Sequence, residues 1–317
     1  MKHNTIIVTV GLALAIALPS AHSNAQGARS FVSPTGSDSN NCSLAAPCRF
    51  LQAALAQTNP GGEIAILGTA GYNNGATVTI NKAISIVNPG AFEAGIIVPS
   101  GGAGIVINAG ANDVVSLRGL TIEGVGVGNT GIEFDAGASL NVENCFIRYL
   151  TALGVYFRPN VSSDLSISNS LVANNGNNGI SVFPSGSAAV TAVFNRVEVK
   201  NNSSAGIYVD GLNSTGAISA TVSDSIAARN GGIGFFAETA LGHAPTTLML
   251  FHSVAANNGF GLFANGPGAT IRVFQSMVTG NGEGWVANGS GVVQSYGNNS
   301  IDGNQSAEAA PPSIAQK

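Results

Sequence analysis

Gly206-Ile-Tyr-Val-Asp210 and, one repeat later, Gly234-Phe-Phe-Ala-Glu238 are two copies of a five-residue phrase: glycine, apolar, any, apolar, any. The same phrase reads Gly131-Ile-Glu-Phe-Asp135, Gly154-Val-Tyr-Phe-Arg158 and Gly179-Ile-Ser-Val-Phe183 before them. It reads Gly261-Leu-Phe-Ala-Asn265 and Gly284-Trp-Val-Ala-Asn288 after them. The starts are 23 to 28 residues apart. Period-two apolar alternation that recurs at such a spacing is the mark of a solenoid.

A second phrase precedes the first in each repeat. Copies are Val115 to Gly119, Leu140-Asn-Val-Glu-Asn144, Leu165-Ser-Ile-Ser-Asn169, Thr191-Ala-Val-Phe-Asn195, Ala220-Thr-Val-Ser-Asp224, Leu248-Met-Leu-Phe-His252 and Ile271-Arg-Val-Phe-Gln275; Tyr296 to Asn298 is a degraded last one. Alternate residues of a strand face opposite sides, so the first and third of each phrase are expected to point inward. Between the phrases stands another apolar residue, then Asn or Gly: Leu171 before Asn174-Asn-Gly176, Val197 before Asn201-Asn202, Val254 before Asn257-Asn-Gly259. Asn and Gly tolerate the left-handed backbone of sharp corners. Each repeat then reads strand, corner, strand, corner, with no room for a helix. Successive repeats must pair in parallel about 4.8 Å apart, which makes the chain an all-β parallel β-helix. A β-sandwich would show hairpin turns and no coil-length period.

The residues closing the second phrase form a polar row: Asn144, Asn169, Asn195, Asp224, His252, Gln275 and Asn298. Stacked amides that satisfy corner backbone groups are the expected reading, and an Asp224–His252 catalytic pair is the alternative.

The flanks differ from the coils. Lys2 and His3, the apolar run Thr5 to Leu18 and small residues near Ser23 and Ala25 give residues 1–25 the form of a signal peptide. The run is short for a membrane span, so none is expected. No Cys follows it, which argues against a lipoprotein anchor, and a secreted or periplasmic location is expected. Residues 26–62 read as an N-terminal cap, 63–304 as the solenoid and 305–317 as a mobile tail. Within the cap, Arg49 to Gln57 has helical spacing, with Phe50, Leu51, Ala54 and Leu55 on one side, as expected of a short helix covering the first coil. Cys42 and Cys48 enclose five residues, and export makes a disulfide there the expected state. Cys145 has no partner and reads as a small buried hydrophobe.

Charged residues make up only 9% of the chain and 42 residues are Gly, as suits stacked strands and tight turns. Without Lys2 the net charge is −5, which argues against a nucleic-acid partner.

The stretch from Phe31 through Ala65, with Val-Ser-Pro-Thr-Gly-Ser-Asp, Ala-Pro-Cys-Arg-Phe-Leu-Gln-Ala-Ala-Leu and Pro-Gly-Gly-Glu-Ile, resembles the opening segment of secreted right-handed parallel β-helix proteins of the pectate-lyase-like superfamily. Thr79 to Ile86 is similar to their first coil, and Ile107 to Ile122 resembles exported bacterial members. The resemblance implies a right-handed coil over nearly all of the mature chain. Its enzyme signatures are mostly missing. Asn-Thr-Asp, Asp-Asp, Gly-His-Gly and Arg-Ile-Lys of the polygalacturonase-like members do not occur, and Gly242-His243-Ala244 is a partial echo. The Trp-Ile-Asp-His and Arg-x-Pro-x-x-Arg phrases of pectate-lyase-like members and the Asp-Pro-His-Asp of alginate epimerases are absent as well.

Chemistry is therefore sought on the outward positions of the seven-fold phrase. Its middle residues include Tyr156, Tyr208, Phe236 and Phe263, and its fifth residues include Asp135, Arg158, Asp210 and Glu238. An aromatic stripe beside acids and an Arg suits a polysaccharide or cell-surface glycan, since rings pack on sugar C–H faces and polar groups take hydroxyls. Three function classes follow. The first is glycan binding through Tyr156, Arg158, Tyr208, Phe236 and Phe263. The second is a polysaccharide lyase or glycoside hydrolase in which Glu238 donates the proton, Asp210 attacks or stabilises, His243 lies on an adjacent loop and Arg158 binds an acidic sugar; neighbouring coils bring two carboxylates to a spacing like that of retaining glycosidases. The third is a structural or adhesive solenoid. Carboxylates on neighbouring coils can hold Ca²⁺, but no motif demands one, and no cofactor is expected. Nothing in the chain sets an oligomeric state.

Overall fold

The computed structural model describes residues 27–90 and 92–316; the expected signal peptide lies outside them. Among the described residues the strands form three parallel sheets that the chain visits in rotation, a right-handed β-solenoid of about ten turns. Sheet A has eleven strands, from Gly27–Val32 to Val292–Ser295. Sheet B has ten, from Ala70–Gly71 to Ser300–Ile301, and sheet C has nine, from Val78–Ile80 to Glu283–Asn288. The second phrase of each repeat lies in sheet A and the glycine phrase in sheet C. Among the described residues no helix is long and apolar enough to cross a membrane.

Each coil thus has three strands where the two phrases foretold two. The third is short, as in Leu171–Ala173 or Val254–Ala256, and carries one inward side chain between two outward ones. Leu171 and Val254 open these strands and point outward, while Val172 and Ala255 fill the core. Three residues are too few to show an alternation, so this strand hides in the sequence.

The inward residues stack in files along the axis. Ile132, Val155, Ile180, Ile207, Phe235 and Leu262 are fully buried and register-paired from coil to coil. The glycine that opens each sheet C phrase is required by close approach. A Cβ on Gly206 would stand 2.7 Å from the Gly234 carbonyl oxygen, and one on Gly131 2.5 Å from that of Gly154.

In one copy the inward set differs from expectation. Ala192 and Phe194 pair with Leu165 and Ile167 and are buried, whereas Val193 is 42% exposed. Thr191-Ala-Val-Phe-Asn195 offers apolar residues in either register, Val193 in one and Ala192 with Phe194 in the other. The register that buries the larger Phe194 ring prevails.

That one-residue shift also corrects the polar row. Its true members are Asn144, Asn169, Arg196, Asp224, His252, Gln275 and Asn298, all with φ between 48° and 58°. They turn the chain from sheet A to sheet B in the left-handed conformation and point outward, so they are not a stacked amide ladder. Arg196 Nε donates to Asn169 Oδ1 at 2.6 Å, and His252 Nδ1 lies 2.6 Å from Asp224 Oδ1 with both side chains solvent-accessible.

The amide ladder stands at the next corner, between sheets B and C. Asn175, Asn202, Asn230, Asn258, Asn281 and Asn304 are buried, and each Nδ2 donates to the following Oδ1 at 2.9–3.0 Å. Each Oδ1 also accepts the backbone N–H of the preceding rung, as Asn230 Oδ1 does from Asn202. A buried amide left unpaired would cost about 1–3 kcal/mol, so the file is stable only when continuous. The residue before each ladder Asn takes the left-handed turn: Asn174, Asn201, Arg229, Asn257, Gly280 and Gly303, with Tyr149 before Leu150 at the head of the file.

The ends are covered. The helix Leu51–Gln57 buries Leu51, Ala54 and Leu55 over the first coil, and Asp38 Oδ1 accepts the backbone N–H groups of Arg49 and Phe50 just before it. Cys42 and Cys48 are joined by a disulfide beside this helix. Cys145 is buried, and burial pushes its thiol up to about 11. The tail, expected to be mobile, lies across the last coil. Ser306 bridges Glu283, Ser313 bridges Ser295, and Trp285 Nε1 donates to the Ala309 carbonyl at 2.7 Å.

Candidate functional site

Sheet C carries the glycine phrase, and its outer face bears the two columns expected there. Register pairing runs Glu133, Tyr156, Ser181, Tyr208, Phe236, Phe263, Val286 through consecutive coils, and Asp210, Glu238, Asn265, Asn288 beside it. The candidates Tyr156, Tyr208, Phe236, Phe263, Asp210 and Glu238 therefore share one face.

The rings pack on each other. Tyr208 and Phe236 stack with centroids 4.5 Å apart and planes 8° apart, and Phe263 meets Phe236 edge-on at 5.3 Å. The stacked pair spends its faces internally and shows its edges to solvent. Tyr156 and Phe183 sit apart, tilted by 57° with centroids 6.2 Å apart. Beside them Asp135, Arg158, Asn160 and Asn213 complete a groove of about 430 Å³. Phe183, Asn160 and Asn213 are not among the site residues the sequence names. Their signal was position: Arg158-Pro-Asn160, Phe183-Pro and Gly211-Leu-Asn213 all follow a sheet C strand and build the same edge.

Arg158 is held by an acid on each of two sides. Its Nε donates to Asp135 at 2.7 Å, its Nη2 contacts Glu133, and its guanidinium lies 5.2 Å from the Tyr156 ring centre. Burial works against its charge, but Asp135 and Glu133 more than offset that and raise its proton affinity. Two carboxylates around one guanidinium leave the groove with a net negative charge, which does not suit an acidic sugar.

Asp210 and Glu238 are register partners, and the Tyr208 hydroxyl stands between their carboxyls, 2.6 Å from Asp210 Oδ2 and in contact with Glu238 Oε2. Asp210 Oδ1 accepts the Leu212 N–H at 2.7 Å, and Glu238 Oε1 accepts Asn265 Nδ2 at 2.7 Å. A hydroxyl has one proton, so both contacts are hydrogen bonds only when one carboxyl is protonated. Burial, the largest influence, raises the Asp210 proton affinity above the usual carboxylate range, while the Tyr208 and Leu212 donors act the other way. Burial and the two acids likewise push the Tyr208 phenol upward.

Asp210 is 2% exposed, covered from outside by the turns that follow its own strand and that of Glu238, not by the lumen. His243 lies exposed on the covering turn, its backbone N–H bonded to the Ala240 carbonyl. Its charge favours the Asp210 carboxylate, but its ring makes no hydrogen bond to either acid. Among the described residues no three His, Cys, Asp or Glu side chains converge as a metal-holding group.

A sequence profile described as "Right handed beta helix region" matches residues 103–306. A search of curated protein sequences finds no match. Among solved structures the chain is similar to "pectate lyase Pel9A", at 19% identity and a TM-score of 0.64 over 91% of this chain and 78% of that one. It is also similar to the A-module of the Azotobacter vinelandii mannuronan C-5 epimerase AlgE4, at 13% identity and a TM-score of 0.41 over 81% and 91%. Escherichia coli YbhC is similar at 13% identity and a TM-score of 0.46 over 90% and 78%. The first of these likenesses bears on the fold alone. With the profile covering most of its coils, the chain belongs to the right-handed β-helix family.

Proposed function

We propose that this protein is exported and binds polysaccharide on the outer face of sheet C, without transforming it. The observation that carries the reading is the groove of Tyr156 and Phe183, where two tilted rings stand beside the Asn160 and Asn213 side chains. Tilted rings expose apolar surface to sugar C–H groups, and amides both donate to and accept from hydroxyls. Tyr208, Phe236 and Phe263 follow farther along the same column and present ring edges, so a bound chain of sugars would run parallel to the solenoid. Because Arg158 is neutralised by Glu133 and Asp135, the favoured ligand is a neutral glycan rather than a polyuronate.

The hydrolase or lyase reading gains no support from the acids. A scissile bond would have to enter the space that the Tyr208 hydroxyl fills, and Asp210 is closed to solvent. An array of neutral and acidic glycans probed with the mature chain tests the binding reading. Neutral glycans should be retained, and the Tyr156→Ala/Phe183→Ala double variant should bind them more weakly. Undiminished binding by that variant, or no glycan bound at all, removes the proposal.

A further inference from the structure

We infer a second saccharide-binding site on the corner between sheets B and C, which does not rest on the sheet C reading. A groove of about 620 Å³ crosses four successive coils there, within the size range of small-molecule sites. One wall is the turn around Val125 and Gly126; the floor continues through Tyr149, Asn174, Asn201 and Ser203.

The argument starts from backbone conformation. Val125 has φ 49° and Tyr149 φ 57°, in a region that disfavours β-branched and bulky side chains. Later turns of this corner mostly carry Asn or Gly in that conformation, which it suits. A chain optimised for folding alone would place Asn or Gly at Tyr149 too. The two apolar exceptions lie on adjacent coils, are 57% and 43% exposed, and line the same groove. Strain held at an exposed position points to use of the side chain.

The chemistry of the groove names the ligand class. The Arg148 guanidinium lies 5.3 Å from the Tyr149 ring centre and steadies it. The side-chain amides of Asn174 and Asn201 and the Tyr149 hydroxyl make no hydrogen bond to the described residues, so each can meet a ligand hydroxyl. The charges at the rim, Glu123 and Arg148, are 3.6 Å apart and compensate each other, so nothing here recruits an ion. Exposed ring and valine methyls beside free amides, without net charge, fit a neutral sugar.

The test uses cellohexaose, xylohexaose and mannohexaose, titrated into the full mature chain carrying Tyr156→Ala/Phe183→Ala so that the sheet C groove is disabled. At least one hexaose should bind by ligand-observed NMR. Adding Tyr149→Asn should weaken it about fivefold or more while raising the melting temperature, because Asn is what the neighbouring corners carry. Asn201→Gly, which the left-handed backbone tolerates, should weaken it with little change in melting temperature. The site is overturned if none of the three hexaoses binds in that background, or if binding survives both Tyr149→Asn and Asn201→Gly. Failure of sheet C to bind glycan leaves these readouts unchanged.

Discussion

The Tyr208 hydroxyl donates to a carboxylate that solvent does not reach: Asp210 Oδ2 lies 2.6 Å away and the residue is 2% exposed. Its raised proton affinity has a defined effect on stability. Between the ordinary carboxyl range and the raised native value, the unfolded chain gives up its proton first. Stability therefore falls as pH rises through that window, and the penalty is complete above it. Asp210→Asn should raise stability at pH 7, since the amide can donate to Tyr208 and accept from Leu212. Urea unfolding at pH 7 and pH 4 checks this: the gain should be smaller at the lower pH, and an equal gain at both would contradict it.

Asn230 accepts two hydrogen bonds from Asn202 and donates to Asn258 Oδ1 and the Val199 carbonyl. Asn230→Ala strands buried partners on both sides and should cost about 2–5 kcal/mol. Asn304→Ala, at the end of the file, strands them on one side and should cost less. Denaturant midpoints of the two variants measure the difference.

Gly206→Ala forces a methyl against the Gly234 carbonyl and should destabilise by about 1–3 kcal/mol. Gly71→Ala, where an added Cβ meets nothing within 4 Å, is the control. The control should stay within about 0.5 kcal/mol in thermal melts.

Cys145 should resist thiol reagents in the native state, because burial keeps its proton on and its sulfur out of reach. Titration with a chromogenic disulfide at pH 8 should find no reactive thiol in the folded mature chain. It should find one in strong denaturant and three after reduction, the other two coming from Cys42 and Cys48.

The solenoid was readable because two constraints leave direct traces. Inward files demand period-two apolar residues, as at Ile207 and Val209, and stacked backbones demand glycine, as at Gly206. What escaped was set by neighbours in space. The third strand is too short to alternate, and Asn195 was preferred to Arg196 because an amide looks like a corner residue whereas the choice rested on how Phe194 packs. The amide ladder was hidden in plain dipeptides: Asn201-Asn202 and Asn257-Asn258 were read as corners, but the first residue turns and the second hydrogen-bonds inward. On sheet C the columns followed from the phrase, while the closing of Asp210 and the pairing of Arg158 with two acids depended on turns and partners that spacing does not reveal.

The segment that crosses the final coil has a meaning for how these molecules meet one another. An open last rung would offer its unpaired amides to the last rung of a second molecule, since the helix closes the opposite end. By adding its own residues at Ser306 and Ser313 as a last partial rung, the polypeptide shields part of that seam, and trimming it away should favour end-to-end pairing of two rods.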